Sequence, residues 1–170
     1  MSMITISHLS FSYDTDAEDI FRDVSLELDT DWKLGLVGRN GRGKTTLLRL
    51  LMGRYEYRGT ITAATSFAYF PFQVEAANTG REIGRMICAD AQDWQVEREL
   101  SLLNLSPDVL ERPLESLSFG EQTKILLALQ FLKKENFLLI DEPTNHLDQT
   151  GREVVSKYLN RKREIGRAHV

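Results

Sequence analysis

The sequence predicts an α/β fold with a mixed β-sheet core, an antiparallel β part at the N-terminus and a helical subdomain. An apolar segment, a glycine-rich loop and a helical segment follow one another over residues 32–52, which is the order of a strand–loop–helix unit. Alternating apolar residues at 3–7 and 24–28 indicate strands with one buried face. Phe137–Ile140 is wholly apolar, which is typical of a parallel strand covered on both faces.

The elements next to the glycine-rich loop are predicted from their flanking residues. Trp32–Val37 is expected to form a buried strand, and Thr45–Met52 a helix that ends at Gly53. Two further strands are expected at Gly59–Ala63 and Phe67–Phe70, and the second is closed by the proline that follows it. These elements complete the β-rich first part of the chain.

The helical subdomain is predicted at about 75–134. This stretch is rich in Glu, Arg, Leu and Ala, and prolines break it into short helices. Ser118 and Glu121 have the spacing of a capping box, which predicts that a longer helix begins at Ser118. Gly151–Arg163 is predicted to be a last amphipathic helix.

The composition restricts the class of protein. The chain has 170 residues, of which 42% are hydrophobic and 27% charged, and this fits one soluble domain with a real core. The net charge of −4 opposes non-specific attraction to nucleic acid, although a local basic patch could still bind RNA. Cys88 is the single cysteine, so an internal disulfide is excluded and a reducing cytosol is expected. No apolar run approaches the length of a membrane span.

The glycine-rich loop Gly38–Thr45 matches G-x-x-x-x-G-K-[ST] at every fixed position. Its glycines let backbone N–H groups turn inward around phosphate, and the following helix directs its positive dipole end there. Lys44 is expected near the β- and γ-phosphates, and the Thr45 hydroxyl is placed to bind Mg²⁺. A glycine-rich turn without a ligand is the alternative. The predicted nucleotide-binding residues of this region are Gly38, Asn40, Gly41, Gly43, Lys44, Thr45 and Thr46.

Two carboxylates follow the apolar strand Phe137–Ile140. Asp141 is expected at the edge where open α/β sheets bind their ligands, and it would reach Mg²⁺ beside Thr45 through water. Glu142 would face the γ-phosphate, where a carboxylate orients or deprotonates the attacking water. An acidic turn that caps a strand is the alternative, and the intact loop upstream favours the catalytic pair.

A third motif makes the chain similar to a known family. Leu117–Gln122 resembles the signature motif of ATP-binding-cassette (ABC) ATPases, and it precedes Asp141 and Glu142 as in that family. The resemblance covers about residues 3–163 and implies a P-loop ATPase of ABC type, with ATP and Mg²⁺ as cofactors. It also implies that Tyr13 stacks on adenine and that Gln73 senses Mg²⁺ and the γ-phosphate. A half-buried strand tyrosine is the alternative for Tyr13.

The family resemblance implies that a second cassette is needed. Two cassettes face each other in this family, and each signature motif grips the ATP of the opposite one. Ser118, Gly120 and Glu121 would therefore contact nucleotide in trans, and helix capping by Ser118 can coexist with that role. Phe119 departs from the usual glycine, and its bulky ring would crowd the nucleotide or pack on the partner.

A finer resemblance is to the ABC-F branch, whose soluble, cytoplasmic members fuse two cassettes without membrane segments and act on the ribosome and its rRNA. The residues in this chain that resemble the ABC-F branch are Glu142–Asp148 and Gly120–Lys124. Residues 31–59 are most similar to the antibiotic-resistance subgroup, which protects ribosomes from drugs. The alternative is the ATP-binding subunit of a membrane ABC transporter, with a permease that docks near Gln73.

The resemblance also implies that the cassette is incomplete. Residues 1–164 are expected to be the nucleotide-binding domain, without the family's switch histidine or a second cassette. Residues 165–170 can be encoded by a common sequencing-adapter sequence, so they are expected to be a non-native tail, and a genuine native terminus is the alternative. In the family, a further strand lies between the strand before the loop and Phe137–Ile140, so a gap is expected in the sheet. ATPase activity is therefore expected of the full-length parent, and the 170-residue chain is expected to be marginally stable and inactive.

Overall fold

The protein is seen in a computed structural model that describes residues 3–13, 18–39, 41–133 and 136–162, and the backbone of 167–169. The described chain divides into two compact units. The first takes its residues from 1–69, 135–141 and 164–170, and the second from 70–134 and 142–163.

Two sheets are built from the strands, and each sheet has its own connectivity. The strands of the described chain are β1 (Met3–Phe11), β2 (Phe21–Asp29), β3 (Lys33–Gly35), β4 (Arg58–Ala63), β5 (Ser66–Phe70), β6 (Asn136–Ile140) and β7 (Arg167–His169). The first sheet has the order β2-β1-β4, and both of its pairings are antiparallel. The second has the order β3-β7-β6-β5. The antiparallel part and the mixed sheet core of the predicted fold class are thus confirmed.

The core of the first unit lies between β1, β6 and a helix, α1 (Lys44–Leu51). β1 alternates buried and less buried positions because the side chains of a strand point to opposite faces. Phe67 and Phe137 meet edge to face within this unit, with ring centroids 6.0 Å apart. Its fully or largely buried residues are Ile4, Ile6, Leu9, Phe11, Leu48, Leu50, Leu51, Phe137 and Leu139.

The backbone of β7 closes the centre of the second sheet. It pairs in parallel with Lys33–Gly35 on one side and with Leu138–Ile140 on the other. The expectation of a gap between β3 and β6 is therefore wrong, because the last described residues supply the missing backbone hydrogen-bonding groups.

The segment Trp32–Val37 differs from its prediction. Only Lys33–Gly35 is strand, Trp32 is exposed, and Val37 is 98% exposed. β3 is an edge strand of its sheet and pairs with β7 alone. The buried strand expected here is thus short and largely uncovered.

The second unit is helical. Its elements are α2 (Gly80–Ile87), α3 (Asp93–Leu102), two 3₁₀ turns (Pro107–Glu111 and Leu114–Ser116), α4 (Phe119–Gln130) and α5 (Gln149–Arg161). α2 and α3 both pack against α4, whose apolar residues Ile125, Ala128 and Leu129 are fully buried. α4 begins one residue after the predicted start at Ser118, and α5 covers most of the predicted Gly151–Arg163. No helix of the described chain is long and apolar enough to cross a membrane.

A buried charged group ties α3 to α5 in the second unit. Glu99 is 7% exposed, and its carboxylate accepts hydrogen bonds from the Tyr158 hydroxyl and the Lys162 ammonium. The same ammonium lies 4.9 Å from the centre of the Phe131 ring. Since a buried carboxylate without partners would be costly, this group depends on the packing of the two helices.

Candidate functional site

The loop before α1 has the backbone shape that its sequence predicts. Gly41 and Gly43 have φ values of 77° and 88°, in the left-handed region where a Cβ is unfavourable. Gly43 is the N-cap of α1, so the turn leads directly into the positive end of that helix. The predicted loop residue Asn40 lies outside the described residues.

Gly43 is also required by its surroundings. A Cβ at this position would lie 2.7 Å from Ile20 Cγ2 and 3.0 Å from Phe21 Cζ. Both atoms belong to side chains at the start of β2, so the loop packs directly against the antiparallel sheet. The last glycine of the motif therefore serves both the turn and this close approach.

Lys44 folds back over the loop. Its ammonium donates hydrogen bonds to the carbonyl oxygens of Gly38 at 2.9 Å and Arg39 at 3.3 Å. The charge is thereby held within the curve of the loop. A bound polyphosphate would offer this ammonium stronger, charged acceptors.

The two threonines at the start of α1 have different environments. Thr46 is buried, and its hydroxyl lies 3.0 Å from the hydroxyl of Tyr13. The Tyr13 ring packs edge to face with Phe11 and Tyr55, at centroid distances of 5.0 Å and 5.6 Å. Tyr13 is therefore half-buried and anchored to the loop helix, while Thr45 is half-buried beside it. Adenine stacking by Tyr13 stays a prediction.

Asp141 follows β6 directly and is 7% exposed. The Tyr69 hydroxyl donates a hydrogen bond of 2.6 Å to Asp141 Oδ2. The other oxygen, Oδ1, is buried and has no hydrogen-bond partner among the described residues. A buried carboxylate oxygen without a donor is costly, so this atom is suited to a cation or to a water molecule held by one.

Tyr69 is a site residue that the sequence reasoning missed. Burial raises its pKa to about 12, and the hydrogen bond to Asp141 adds to this effect. The only signal for it in the sequence is its place near the end of the expected strand Phe67–Phe70. That signal is insufficient, because the contact depends on β5 lying next to β6.

The signature segment of the second unit forms a complete capping box. Glu121 N–H donates to Ser118 Oγ at 3.3 Å, and the Glu121 carboxylate accepts from Ser118 N–H at 2.8 Å. The hydrogen bond from the Ser118 hydroxyl lowers the pKa of Glu121, and that from its backbone N–H adds to this. Gly120 lies close to Leu147, whose Cδ2 would be 3.4 Å from a Cβ there. Helix capping by Ser118 is thus present, and its contact with nucleotide stays a prediction.

Phe119 and His146 lie together at the start of α4. Their ring centroids are 5.3 Å apart, and Phe119 is 65% exposed. The bulky residue at the signature position therefore does not fold into the core of its own unit.

Glu142 occupies a tight turn after β6. Its φ of 45° lies in the left-handed region, and its carbonyl accepts a hydrogen bond of 3.2 Å from Asn145 N–H. The Asn145 side-chain amide donates to Glu142 Oε2. Asp148 then caps α5 by accepting from Gly151 N–H at 2.7 Å. The side-chain role of Asn145 is a second feature that the sequence reasoning missed.

The predicted site residues fall into groups within each unit. In the first unit, the loop, Tyr13, Thr46 and α1 form one continuous group. In the second, Ser118 and Glu121 bond to each other, and the exposed Gln73 lies in the segment between β5 and α2. The described residues contain no group of three or more His, Cys, Asp and Glu side chains placed to hold a metal ion. Oxygen ligands such as Thr45 and Asp141 nevertheless fit Mg²⁺, which is bound through few carboxylates together with phosphate and water.

The fold and the site define the class of protein as a P-loop nucleotide-binding protein, with a strand–loop–helix unit and an acidic strand end. The ABC transporter family matches residues 21–145, which is most of the chain. The chain therefore belongs to this family and is an ATP-binding cassette. Domains of this family are generally ATPases that bind ATP with Mg²⁺.

Two relatives of known sequence show which members of the family this chain resembles. The chain is 30% identical to ABC transporter F family member 2 of Arabidopsis thaliana, over 94% of this chain and 24% of the relative. It is 30% identical to the ATP-binding protein Uup of Escherichia coli strain K12, over 87% of this chain and 25% of that protein. The chain thus spans about a quarter of the length of these relatives.

A solved structure supports the same fold. A bacterial Atm1-family ABC exporter with ATP bound superposes with a TM-score of 0.78, over 99% of this chain and 34% of the exporter. The sequence identity is 20%, so this likeness supports the fold and no finer assignment.

Proposed function

We propose that this chain is a cassette of an ABC-F protein that binds and hydrolyses ATP. The observation that carries the catalytic part of this proposal is Asp141, whose buried Oδ1 has no hydrogen-bond partner among the described residues of the unit that holds the P-loop. Such an atom calls for a cation or a water molecule.

Each site residue has a role in this proposal. Lys44 binds the β- and γ-phosphates, and Thr45, Gln73 and Asp141 hold Mg²⁺, directly or through water. Glu142 is the catalytic residue that orients or deprotonates the attacking water. Tyr13 stacks on adenine. Mg²⁺ supplies charge neutralisation at the phosphates.

The second half of the site comes from another cassette, which lies in the same polypeptide of the full-length protein. Ser118, Gly120 and Glu121 bind the nucleotide of that cassette, at the N-terminal end of α4. Support comes from the start of this helix, which is capped by Ser118 and has Phe119 exposed.

The finer part of the proposal concerns the cellular role. The parent acts in the cytoplasm on the ribosome and its rRNA, in translation or in antibiotic resistance. This is supported by relatives named as F-family members and by Asn145 and His146, where transporter cassettes usually carry Ser-Ala. An ATP-binding subunit of a membrane transporter is the competing function.

Nucleotide binding and turnover test the chemistry. A titration of the chain with a fluorescent ATP analogue should give saturable binding, and the full-length protein should hydrolyse ATP. Glu142→Gln should abolish turnover and keep binding. Unchanged turnover in this variant would remove Glu142 from its catalytic role.

Co-sedimentation tests the partner. The full-length Glu142→Gln protein should pellet with ribosomes in ATP and remain in the supernatant without nucleotide. Failure to pellet under both conditions, together with co-purification of a membrane permease, would favour the transporter function.

A further inference from the structure

Tyr69 and Asp141 are far apart in sequence and touch in the structure. The tyrosine lies on β5, the aspartate follows β6, and these strands are neighbours in the sheet. The hydroxyl-to-Oδ2 distance is 2.6 Å over a sequence separation of 72 residues. A hydrogen bond of this length to a carboxylate is a strong one.

The two carboxylate oxygens of Asp141 have different hydrogen-bonding environments. Oδ2 has its donor, whereas Oδ1 is buried without one among the described residues. Rotation of the carboxylate out of its present plane would break the Tyr69 hydrogen bond, so the phenol restricts the direction in which the oxygen without a donor faces. We propose that Tyr69 is a positioning residue that holds Asp141 with Oδ1 directed toward the Mg²⁺ of the bound nucleotide. This inference rests on the proposed function, since it assumes that Asp141 serves the metal.

Arg49 interacts with Tyr55 and, more weakly, with Tyr69. Arg49, in the last turn of α1, donates a hydrogen bond of 3.1 Å to the Tyr55 hydroxyl. Hydrogen bonding to Tyr55 chiefly raises the pKa of Arg49, and hydrogen bonding to Tyr69 contributes. The guanidinium of the helix that begins at the P-loop therefore interacts with both tyrosines, and chiefly with Tyr55.

Tyr69 acts on Asp141 as a hydrogen-bond donor. Its hydroxyl donates to Asp141 Oδ2, so the phenol orients the carboxylate through this single contact.

The metal dependence of nucleotide binding distinguishes a positioning role of Tyr69 from a role in packing alone. We would measure binding of a fluorescent ATP analogue to the chain, first in EDTA and then over a series of Mn²⁺ concentrations. In Tyr69→Phe, affinity in EDTA should stay within about 2-fold, and the half-saturating Mn²⁺ concentration should rise about 10-fold, as for other outer-sphere partners of metal ligands. Tyr57→Phe is the matched control, because Tyr57 is half-buried against the same core and should change neither value.

Asp141→Asn provides the reference for the metal effect. It should remove most of the Mn²⁺ dependence, and adding Tyr69→Phe to it should cause no further change. An unchanged Mn²⁺ dependence in Tyr69→Phe, with a loss in Asp141→Asn, would overturn the positioning role and leave the proposed function intact. Full Mn²⁺ dependence in Asp141→Asn, or no nucleotide binding by the unsubstituted chain, would overturn both.

Arg49→Gln serves as a second variant if Tyr69→Phe does not fold. Arg49 is exposed, so its replacement should leave the core intact. Loss of the link to Tyr69 should raise the half-saturating Mn²⁺ concentration in the same direction but by less. A folded Arg49→Gln chain with normal Mn²⁺ dependence would overturn the proposal.

Discussion

Asn145 donates its side-chain amide to the carboxylate of Glu142, within one turn after β6. The backbone N–H of Asn145 also donates to the Glu142 carbonyl, at 3.2 Å. Two hydrogen bonds from one residue therefore hold a glutamate whose backbone has a φ of 45°. The carboxylate is exposed to solvent, yet its direction is restricted by its own turn.

On the proposed function, we predict that Asn145→Ala lowers kcat of the full-length protein by about 10- to 100-fold, because a displaced Glu142 would lose alignment with the attacking water. KM for ATP should change little, since Asn145 does not belong to the phosphate-binding loop. Steady-state kinetics measure both. Gln149→Ala is a matched control, because Gln149 is an exposed carboxamide that contacts Glu153. An unchanged kcat in Asn145→Ala would mean that the amide does not hold Glu142 in a position that matters for turnover.

Lys44→Ala should weaken nucleotide binding by about 10- to 100-fold, which corresponds to loss of a charged hydrogen bond of roughly 1.5 to 3 kcal/mol. The ammonium now lies over the loop carbonyls of Gly38 and Arg39 and would move to the phosphates. Titration of the chain with a fluorescent ATP analogue measures the effect. Lys157→Ala, on the exposed side of α5, should bind normally. Equal affinity in both variants would remove Lys44 from the site.

Gly43→Ala should destabilise the chain more than Gly53→Ala does. Both positions have positive φ, which costs about 1 to 2 kcal/mol for a residue with a Cβ. Only Gly43 would also place its Cβ against Ile20 and Phe21, which adds about 1 to 3 kcal/mol of overpacking. The difference between the free energies of unfolding of the two variants in urea measures the overpacking contribution. Equal loss of stability would mean that the neighbouring side chains move aside freely.

Ser118→Ala should reduce the free energy of unfolding by about 0.5 to 2 kcal/mol, because α4 loses its side-chain cap. Ser101→Ala, at an exposed position in α3, is the control and should have little effect. Thermal unfolding at neutral pH measures the difference. A loss no larger than that of the control would mean that the cap adds nothing to stability.

The same cap should make stability depend on pH. The pKa of Glu121 is lowered by Ser118 in the folded chain, so its contribution is complete above the unfolded pKa and is lost as the pH falls through the folded value. Stability measured from pH 7 downward should therefore fall less steeply through the acid range in Ser118→Ala than in the unsubstituted chain. Parallel curves would contradict this.

Features that depend on neighbours in the chain were predictable from the sequence. The capping box of Ser118 and Glu121, the loop Gly38–Thr45 and the place of Asp141 after an apolar strand all involve residues a few positions apart. Their conformations follow from local hydrogen bonding and from the freedom of glycine. The family itself was also readable, because three motifs occur in a fixed order.

Tertiary structure alone decided the rest. The bond between Tyr69 and Asp141 requires β5 beside β6, and the strand before the loop lies at the edge of its sheet with Val37 exposed. The entry of Arg167–His169 between β3 and β6 is likewise a matter of strand order. A sequence pattern shows which residues favour a strand, whereas the choice of neighbours depends on backbone groups that are the same in every residue. The motifs were therefore determined by the sequence by itself, and the partners of their side chains by the assembled sheet.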